Sequence, residues 1–194
     1  MNLGLILAGG RSLRFGAEKA AVRLGGVTLL ARAHARLAGA CSEIAVSAPQ
    51  GSEAAAIARS LGLTCLGDPE GGPRGPLSGV LAGLMFAQGR YEFLLTTPCD
   101  APLLPQDLSA RLLAAAETAP AAVARSPAGL QPLCAVWRIL MIRPLTSALA
   151  DGLHPPVHRM LIDANAAVVD FPDDDAFLNI NTPEDLAEAE RRIG

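Results

Sequence analysis

Leu5–Lys19 reads LILAGGRSLRFGAEK, an apolar run followed by a short loop rich in glycine and basic residues. The apolar run predicts a buried strand. The glycine pair after it lets backbone N–H groups approach phosphate oxygens, because no Cβ stands in the way. Arg11, Arg14 and Lys19 then supply positive charge that offsets phosphate charge. The stretch therefore predicts a site for a nucleoside triphosphate at the end of the first strand, with chemistry at one of its phosphorus atoms.

This loop differs from the two common phosphate-binding loops. It lacks the Gly-Lys-Ser/Thr end of a P-loop, and it lacks the G-x-G-x-x-G pattern of dinucleotide-binding proteins. Leu7–Lys19 instead matches throughout the signature L-A-G-G-x-S-x-R-x-G-x-x-K, and in this it resembles the nucleotidyltransferases. The competing interpretation is a glycine-rich turn with surface cations.

Composition narrows the class of protein. The chain has 194 residues, of which 51% are hydrophobic and 18% charged, so we expect one ordered domain spanning 1–194. The net charge is −3 and there is no basic block, which argues against nucleic-acid binding. No uncharged apolar stretch reaches the ~20 residues that a membrane span needs.

The N-terminus and the cysteines indicate a reducing compartment. No basic segment precedes the first apolar run, which is therefore interpreted as a strand and not a signal peptide, and we expect a cytoplasmic protein. Cys41, Cys65, Cys99 and Cys134 are far apart and form no C-x-x-C pair. Reduced, mostly buried cysteines are favoured over a zinc or redox site.

Apolar runs alternate with helical segments along the chain. Strands are predicted at Leu3–Ala8, Ile44–Ser47, Leu63–Leu66, Tyr91–Thr96, 121–125, 132–137 and Ala166–Phe171. Helices are predicted at Thr28–Leu37, Glu53–Leu61, Leu77–Gln88, Gln106–Glu117, 139–150, 155–163 and from Pro183 onward. This order predicts an α/β fold, a Rossmann-like three-layer sandwich in which helices cover both faces of a mostly parallel sheet.

Asp100 follows the predicted strand Tyr91–Thr96 and lies between Pro98 and Pro102. Triphosphate chemistry usually needs a divalent metal, and Mg²⁺ prefers one or two carboxylates together with substrate oxygens and water. We therefore predict that Asp100 is a Mg²⁺ ligand. The alternative is an aspartate that caps the next helix or turn.

A second loop of small residues, Gly75-Pro76-Leu77-Ser78-Gly79, enters a predicted helix. Helix N-termini that permit close backbone approach suit a flat base or a phosphate. This loop, Asp68, Asp100 and the loop after Gly9 each follow a predicted strand. Because ligands of such sheets lie beyond the carboxyl ends of the strands, we expect all four to converge on one crevice.

Six motifs occur along the chain in a fixed order. They are Leu7–Lys19, Asp68, Gly75–Gly79, Pro98-Cys99-Asp100-Ala101-Pro102, Gln131-Pro132-Leu133 and Asn179-Ile180-Asn181-Thr182-Pro183-Glu184. In this order the chain resembles the molybdenum cofactor guanylyltransferases, the MobA-type family, over roughly residues 3 to 192. The first motif is shared by many sugar and cofactor nucleotidyltransferases, whereas the Gly-Pro-Leu-x-Gly and Asn-x-Asn-Thr-Pro-Glu motifs narrow the choice to this branch.

The resemblance implies transfer of GMP from GTP to the phosphate of molybdenum-molybdopterin. Pyrophosphate is released, and the product is the guanine dinucleotide form of the cofactor. The partners it implies are GTP, molybdenum-molybdopterin and, transiently, a molybdenum-insertion protein and the target molybdoenzymes. The acceptor phosphate is already anionic, so no strong general base is needed, and His34, His154 and His158 are interpreted as surface or packing residues.

The resemblance also implies roles for individual residues. GTP contacts are implied at Leu7, Ala8, Gly9, Lys19, Asp68 and Asp100, with Asp100 also the Mg²⁺ ligand, and the pterin side at Asn179 and Asn181. To the nucleotide contacts we add Gly10, Arg11, Ser47, Gly75, Pro76, Leu77 and Gly79. Lys19, Arg14 and Asp100 are the candidate catalytic residues.

Ser47 departs from the family pattern, because some members carry an asparagine there. A hydroxyl cannot reproduce the two donors and the acceptor of an amide.

Three other functions remain open: a cytidylyltransferase for the same cofactor, a sugar-phosphate nucleotidyltransferase, and a carrier that holds nucleotide or cofactor without turnover.

Overall fold

Alternating apolar side chains build a central sheet. The computed structural model describes residues 1–9, 18–67 and 75–193, and within these ranges it contains a seven-stranded sheet and a two-stranded hairpin. The strands are β1 (Asn2–Leu7), β2 (Arg23–Leu24), β3 (Val27–Thr28), β4 (Glu43–Ser47), β5 (Thr64–Leu66), β6 (Phe93–Pro98), β7 (Ala121–Ser126), β8 (Gly129–Arg138) and β9 (Ala167–Asp170).

Helices connect the strands on both faces. They are α1 (Leu29–Leu37), α2 (Glu53–Ser60), α3 (Pro76–Ala87), α4 (Leu108–Ala116), α5 (Ile142–Ala148), α6 (Val157–Asp163) and α7 (Pro183–Ile193). Thr28 caps α1, because its side chain accepts a hydrogen bond from the Ala31 N–H. Among the described residues, no helix combines the length and the apolar character that crossing a bilayer requires.

The large sheet has the strand order β5-β4-β1-β6-β8-β7-β9. All its strands are parallel except β8, which runs antiparallel to both β6 and β7. The predicted mostly parallel sheet is therefore confirmed. Within the buried core, Trp137 Nε1 of β8 donates to Thr96 Oγ1 of β6 at 3.2 Å, which satisfies the indole donor where the two strands meet.

Side-chain alternation along β1 divides the core into two layers. Leu3, Leu5 and Leu7 face α3, α5 and α6. Ile6 points the other way and joins the cluster formed with α1, α2 and α4. Helices thus cover both faces, as the predicted three-layer sandwich requires.

Two predicted elements have different bounds in the structure. The segment 139–150 is not one helix: a 3₁₀ turn at Ile139–Met141 precedes α5, and another turn, Ala150–Gly152, follows it. Pro144 explains the break, because proline has no N–H to donate and fits only within the first turn of a helix. Strand β8 also begins three residues earlier than the predicted 132, and its register with β7 shifts between Val123 and Ala124.

A small third cluster fixes the C-terminal segment. The β2–β3 hairpin turns through Gly25 and Gly26, whose φ angles are 56° and 80°, as a tight two-residue turn requires. Leu24 of the hairpin packs with Ile180 and with Ala189 of α7. This packing holds the segment that precedes α7 against the body of the protein.

Candidate active site

The candidate site forms where β1 and β6 end side by side. The two strands are parallel neighbours with Leu7 opposite Pro98, and the Cys99 N–H donates to the Leu7 carbonyl at 3.1 Å. The chain leaves β1 toward β4 on one side, whereas β6 lies on the other. This reversal of strand order is the place where open α/β sheets bind ligands.

Lys19 and Asp100 form an ion pair at this edge. Lys19 Nζ lies 2.7 Å from Asp100 Oδ2, and the side chains are 16% and 18% exposed. Lys19 begins a 3₁₀ turn, Lys19–Ala21, which lies between β1 and β2 along the chain. Two groups that are 81 residues apart in sequence thus meet through the pairing of two strands.

The C-terminal segment supplies a third group. Lys19 Nζ also donates to Asn181 Oδ1, and the Ile180 N–H donates to the Asp100 carbonyl at 2.8 Å. Asn179 lies beside them, exposed, and its carbonyl accepts from Asn181 Nδ2 at 3.3 Å. A single ammonium group therefore contacts both a residue assigned to the nucleotide and a residue assigned to the pterin side.

The 75–79 loop packs tightly against β4. Gly75 has a φ of 151° and precedes α3, which begins with Pro76. A Cβ at Gly79 would overlap the Ser47 hydroxyl, so the helix can approach β4 only because residue 79 is glycine. Ser47 is 7% exposed, and its carbonyl accepts from the Ala8 N–H at 2.9 Å.

His154 covers the start of the same loop. A Cβ at Gly75 would overlap the imidazole, with Nε2 as its nearest atom. Within the described part of the chain, Nε2 is buried and has no hydrogen-bond partner. His154 is thus a packing residue, which is one of the two interpretations given for it from the sequence. No sequence pattern indicates its contact with Gly75.

A cavity of about 230 Å³ opens beside the end of β1. It is lined by Ala8, Gly9, Glu18 and residues 49–52. Glu18 Oε2 accepts from the Ala54 N–H at 3.0 Å, which ties the residue before Lys19 to the first turn of α2. A larger cavity, of about 570 Å³, lies around Arg90 at the other ends of these strands, where β1 and β6 begin. None of the candidate residues lines it.

Cys99 lies next to Asp100 and is buried. Burial, with a smaller contribution from the Asp100 charge, raises the pKa of the Cys99 thiol to about 12. Burial likewise raises the pKa of the Cys134 thiol to about 12. Both thiols are therefore neutral at physiological pH, as expected for packing residues.

The structure brings most of the predicted residues to one edge. Lys19 contacts both Asp100 and Asn181, and Asn179 lies two residues before Asn181. Leu7, Ala8 and Ser47 lie where β1 and β4 end, next to Gly9, and Gly79 packs against Ser47 and Leu7. Gly75, Pro76 and Leu77 lie at the start of α3. The predictions for Gly10, Arg11, Arg14 and Asp68 fall outside the described residues. The described ranges contain no cluster of three or more histidine, cysteine or acidic side chains suited to a metal ion.

Comparisons with known proteins identify the family of the chain. A family model described as the MobA-like NTP transferase domain matches residues 4–168. The chain is 43% identical over 189 residues to a protein of Cereibacter sphaeroides (strain ATCC 17029 / ATH 2.4.9) named molybdenum cofactor guanylyltransferase, covering 96% of this chain and 94% of that protein. A protein of the same name from Rhodopseudomonas palustris (strain HaA2) is 42% identical over 195 residues, covering 96% and 89%.

A solved structure shares the fold. Molybdopterin-guanine dinucleotide biosynthesis protein A from Archaeoglobus fulgidus superposes with a TM-score of 0.78 at 22% identity, covering 100% of this chain and 98% of that chain.

The contact between Gly75 and His154 predicts energetic coupling. We expect Gly75→Ala to destabilise the protein through both its φ and its overlap with His154. Removing the imidazole relieves only the overlap, so the double variant with His154→Ala should cost less than the sum of the two single changes. The coupling, measured by urea unfolding, should be about 0.5–3 kcal/mol.

Gly129 offers a matched control. Its φ is 130°, but a Cβ there would meet no atom within 4 Å. Gly129→Ala should therefore show the backbone strain alone and add to His154→Ala without coupling. Additive costs for Gly75→Ala and His154→Ala would show that the two residues are not in contact.

Proposed function

The chain belongs to the MobA-like NTP transferase family, and we propose that it transfers GMP from GTP to the phosphate of molybdenum-molybdopterin. The products are the guanine dinucleotide cofactor and pyrophosphate. The observation that carries the proposal is identity of 43% over 96% of the chain with a protein named for this activity. The pairing of Lys19 with Asp100 at the switch in strand order supports it.

The reaction needs charge neutralisation and alignment more than acid–base chemistry. An anionic oxygen of the acceptor phosphate attacks the α-phosphorus of GTP. The bond from that phosphorus to the bridging oxygen breaks, and pyrophosphate leaves with the electron pair. In this proposal the Lys19 ammonium offsets negative charge on the phosphates, and in a site that excludes water such electrostatic stabilisation is a large part of catalysis.

The residues present fit Mg²⁺. Asp100 offers one carboxylate at the strand end, 18% exposed, and Mg²⁺ in nucleotide sites commonly takes one or two carboxylates with the remaining positions filled by phosphate oxygens and water. Asp100 would hold the ion, which when bound polarises phosphate oxygens and neutralises their charge. Mg²⁺ bound in this way does not need three protein ligands.

The remaining residues divide between the two substrates. We assign Leu7, Ala8, Gly9 and the 75–79 loop to GTP, together with Ser47. From the sequence we add Gly10, Arg11 and Asp68 to the GTP contacts and keep Arg14 as a catalytic residue. We assign Asn179 and Asn181 to the acceptor. We further propose that the reaction is cytoplasmic and that the product passes by transient contact to molybdoenzymes.

Pyrophosphate release is the direct test. Purified protein is incubated with Mg²⁺ and molybdenum-loaded molybdopterin, and GTP, CTP, ATP and UTP are offered separately. We expect release with GTP alone. Release with CTP alone would replace the proposal by the cytidylyl branch, and the absence of release with all four nucleotides would overturn it in favour of another acceptor or a carrier.

Lys19→Ala should lower turnover by a factor of about 10²–10³, because it removes a positioned charge from the transition state. Lys19→Arg should restore little of it, since a planar guanidinium does not replace a compact ammonium. Steady-state pyrophosphate release measures both effects. Arg143→Ala is the control, because Arg143 is an exposed cation outside the site, and near-normal turnover in Lys19→Ala would exclude the role.

Asp100→Asn should abolish Mg²⁺-dependent turnover while the protein stays folded. The substitution keeps the size of the side chain but removes the charge that Mg²⁺ requires. Initial rates are measured over a Mg²⁺ titration, and Mn²⁺ binding in the presence of GTP is followed by electron paramagnetic resonance. Asp163→Asn, which breaks only an exposed pair with Arg159, is the control, and unchanged Mn²⁺ binding in Asp100→Asn would contradict the assignment.

A further inference from the structure

Asp185 lies in the first turn of α7 and closes a ring of hydrogen bonds there. Its Oδ2 accepts from the Asn181 N–H at 2.8 Å and from the Thr182 N–H at 2.9 Å. The Asp185 N–H in turn donates to Thr182 Oγ1 at 3.2 Å. The reciprocal bonds between Thr182 and Asp185 form a capping box, but the bond to Asn181 reaches one residue beyond it.

That extra bond leads to the candidate site. Asp185 holds the backbone of Asn181, and the side chain of Asn181 accepts from Lys19 Nζ. The residue before it, Ile180, is bonded through its N–H to the Asp100 carbonyl. The segment 180–181 is thus fixed at both ends, by Asp185 on one side and by the Lys19–Asp100 pair on the other.

We propose that Asp185 is a positioning residue for Lys19. By fixing the backbone of Asn181, it places the amide oxygen that shares the Lys19 ammonium with Asp100. The ammonium is then held between two acceptors instead of one, which narrows the positions it can take. The inference rests on the proposed function, since it concerns the position of the ammonium group that is proposed to neutralise phosphate charge.

The electrostatics of Asp185 suit this role. The hydrogen bond from the Asn181 N–H is the largest cause that lowers the pKa of the Asp185 carboxyl, and the Thr182 bonds and the Lys19 charge lower it further. Asp185 is therefore ionised at neutral pH, as an acceptor of two N–H groups should be. Its charge and that of Lys19 attract each other across Asn181.

A cap that only stabilises α7 predicts a different result. Helix caps stabilise the helix that they begin, and α7 packs through Ala189 and Leu186 against the cluster around Leu24. On that reading, any loss of the cap weakens the helix without a specific effect on Lys19. The two readings are separated by Thr182→Ala, which removes the Oγ1 acceptor of the capping box but leaves the carboxylate bonds to Asn181 and Thr182 N–H.

The sequence provides a direct readout, because Lys19 is the only lysine in the 194 residues. Protein made with ¹⁵N-lysine therefore gives a single side-chain ammonium signal in nuclear magnetic resonance spectra. Its chemical shift and its protection from solvent exchange report on the hydrogen bonds of Lys19. The measurement needs neither GTP nor the acceptor.

The experiment compares Asp185→Ala with Thr182→Ala in the full chain. We expect Asp185→Ala to move the Lys19 signal toward that of a solvated lysine and to lower kcat about ten- to a hundredfold, the scale of a small misplacement of a catalytic group, with a smaller change in the KM for GTP. Thr182→Ala should lower the unfolding midpoint but leave the signal and kcat near those of the parent protein.

Two further variants keep the result interpretable. Asp185→Asn retains an oxygen acceptor without the charge and should give an intermediate shift, so it replaces Asp185→Ala if that variant does not fold. Glu184→Gln removes a neighbouring exposed charge and should have no effect on the signal. An unmoved Lys19 signal in Asp185→Ala, or equal losses of kcat in Asp185→Ala and Thr182→Ala, would overturn the inference.

Failure of the proposed function gives a different pattern. In that case the parent protein releases no pyrophosphate with GTP, while the Lys19 signal still separates Asp185→Ala from Thr182→Ala. The hydrogen-bonded link from Asp185 to Lys19 would then stand, and only the ligand proposed to contact Lys19 would have to be reassigned.

Discussion

The parallel pairing of β1 with β6 is the constraint on which the candidate site depends. It places Leu7 opposite Pro98, and the bond from the Cys99 N–H to the Leu7 carbonyl continues the ladder by one residue. Asp100 is thereby fixed relative to the end of β1, within reach of the chain that returns through Lys19. The C-terminal segment is attached to the same point, because the Ile180 N–H donates to the carbonyl of Asp100 itself.

Small residues let the second loop join this point. Helix α3 starts close to the ends of β1 and β4, and the absence of a side chain at Gly79 makes room for Ser47. At Gly75 the absence of a side chain makes room for the imidazole of His154. The glycines at the start of α3 thus let elements that are distant in sequence pack closely against one another.

The sequence predicts those features that repeat along the chain or occur in one short run. Apolar runs of the right length locate β1, β4 and β6 to within one or two residues. The Gly25-Gly26 pair is a recognisable hairpin signal, but the predicted strands do not include β2 and β3. The contacts of Lys19 with Asn181 and of Gly75 with His154 join residues 162 and 79 positions apart, and no local pattern encodes them. They follow from strand order and from the packing of α7, which only the three-dimensional structure provides.

The charge balance at the site links the roles proposed for Lys19 and Mg²⁺. The chain carries a net charge of −3, so attraction of a polyanion must come from local groups. In the structure the Lys19 ammonium is paired with the Asp100 carboxylate at 2.7 Å, and the pair has no net charge to offer a triphosphate. In the proposed reaction, a metal ion held by Asp100 would neutralise the carboxylate, and the lysine charge would then act on the phosphate oxygens.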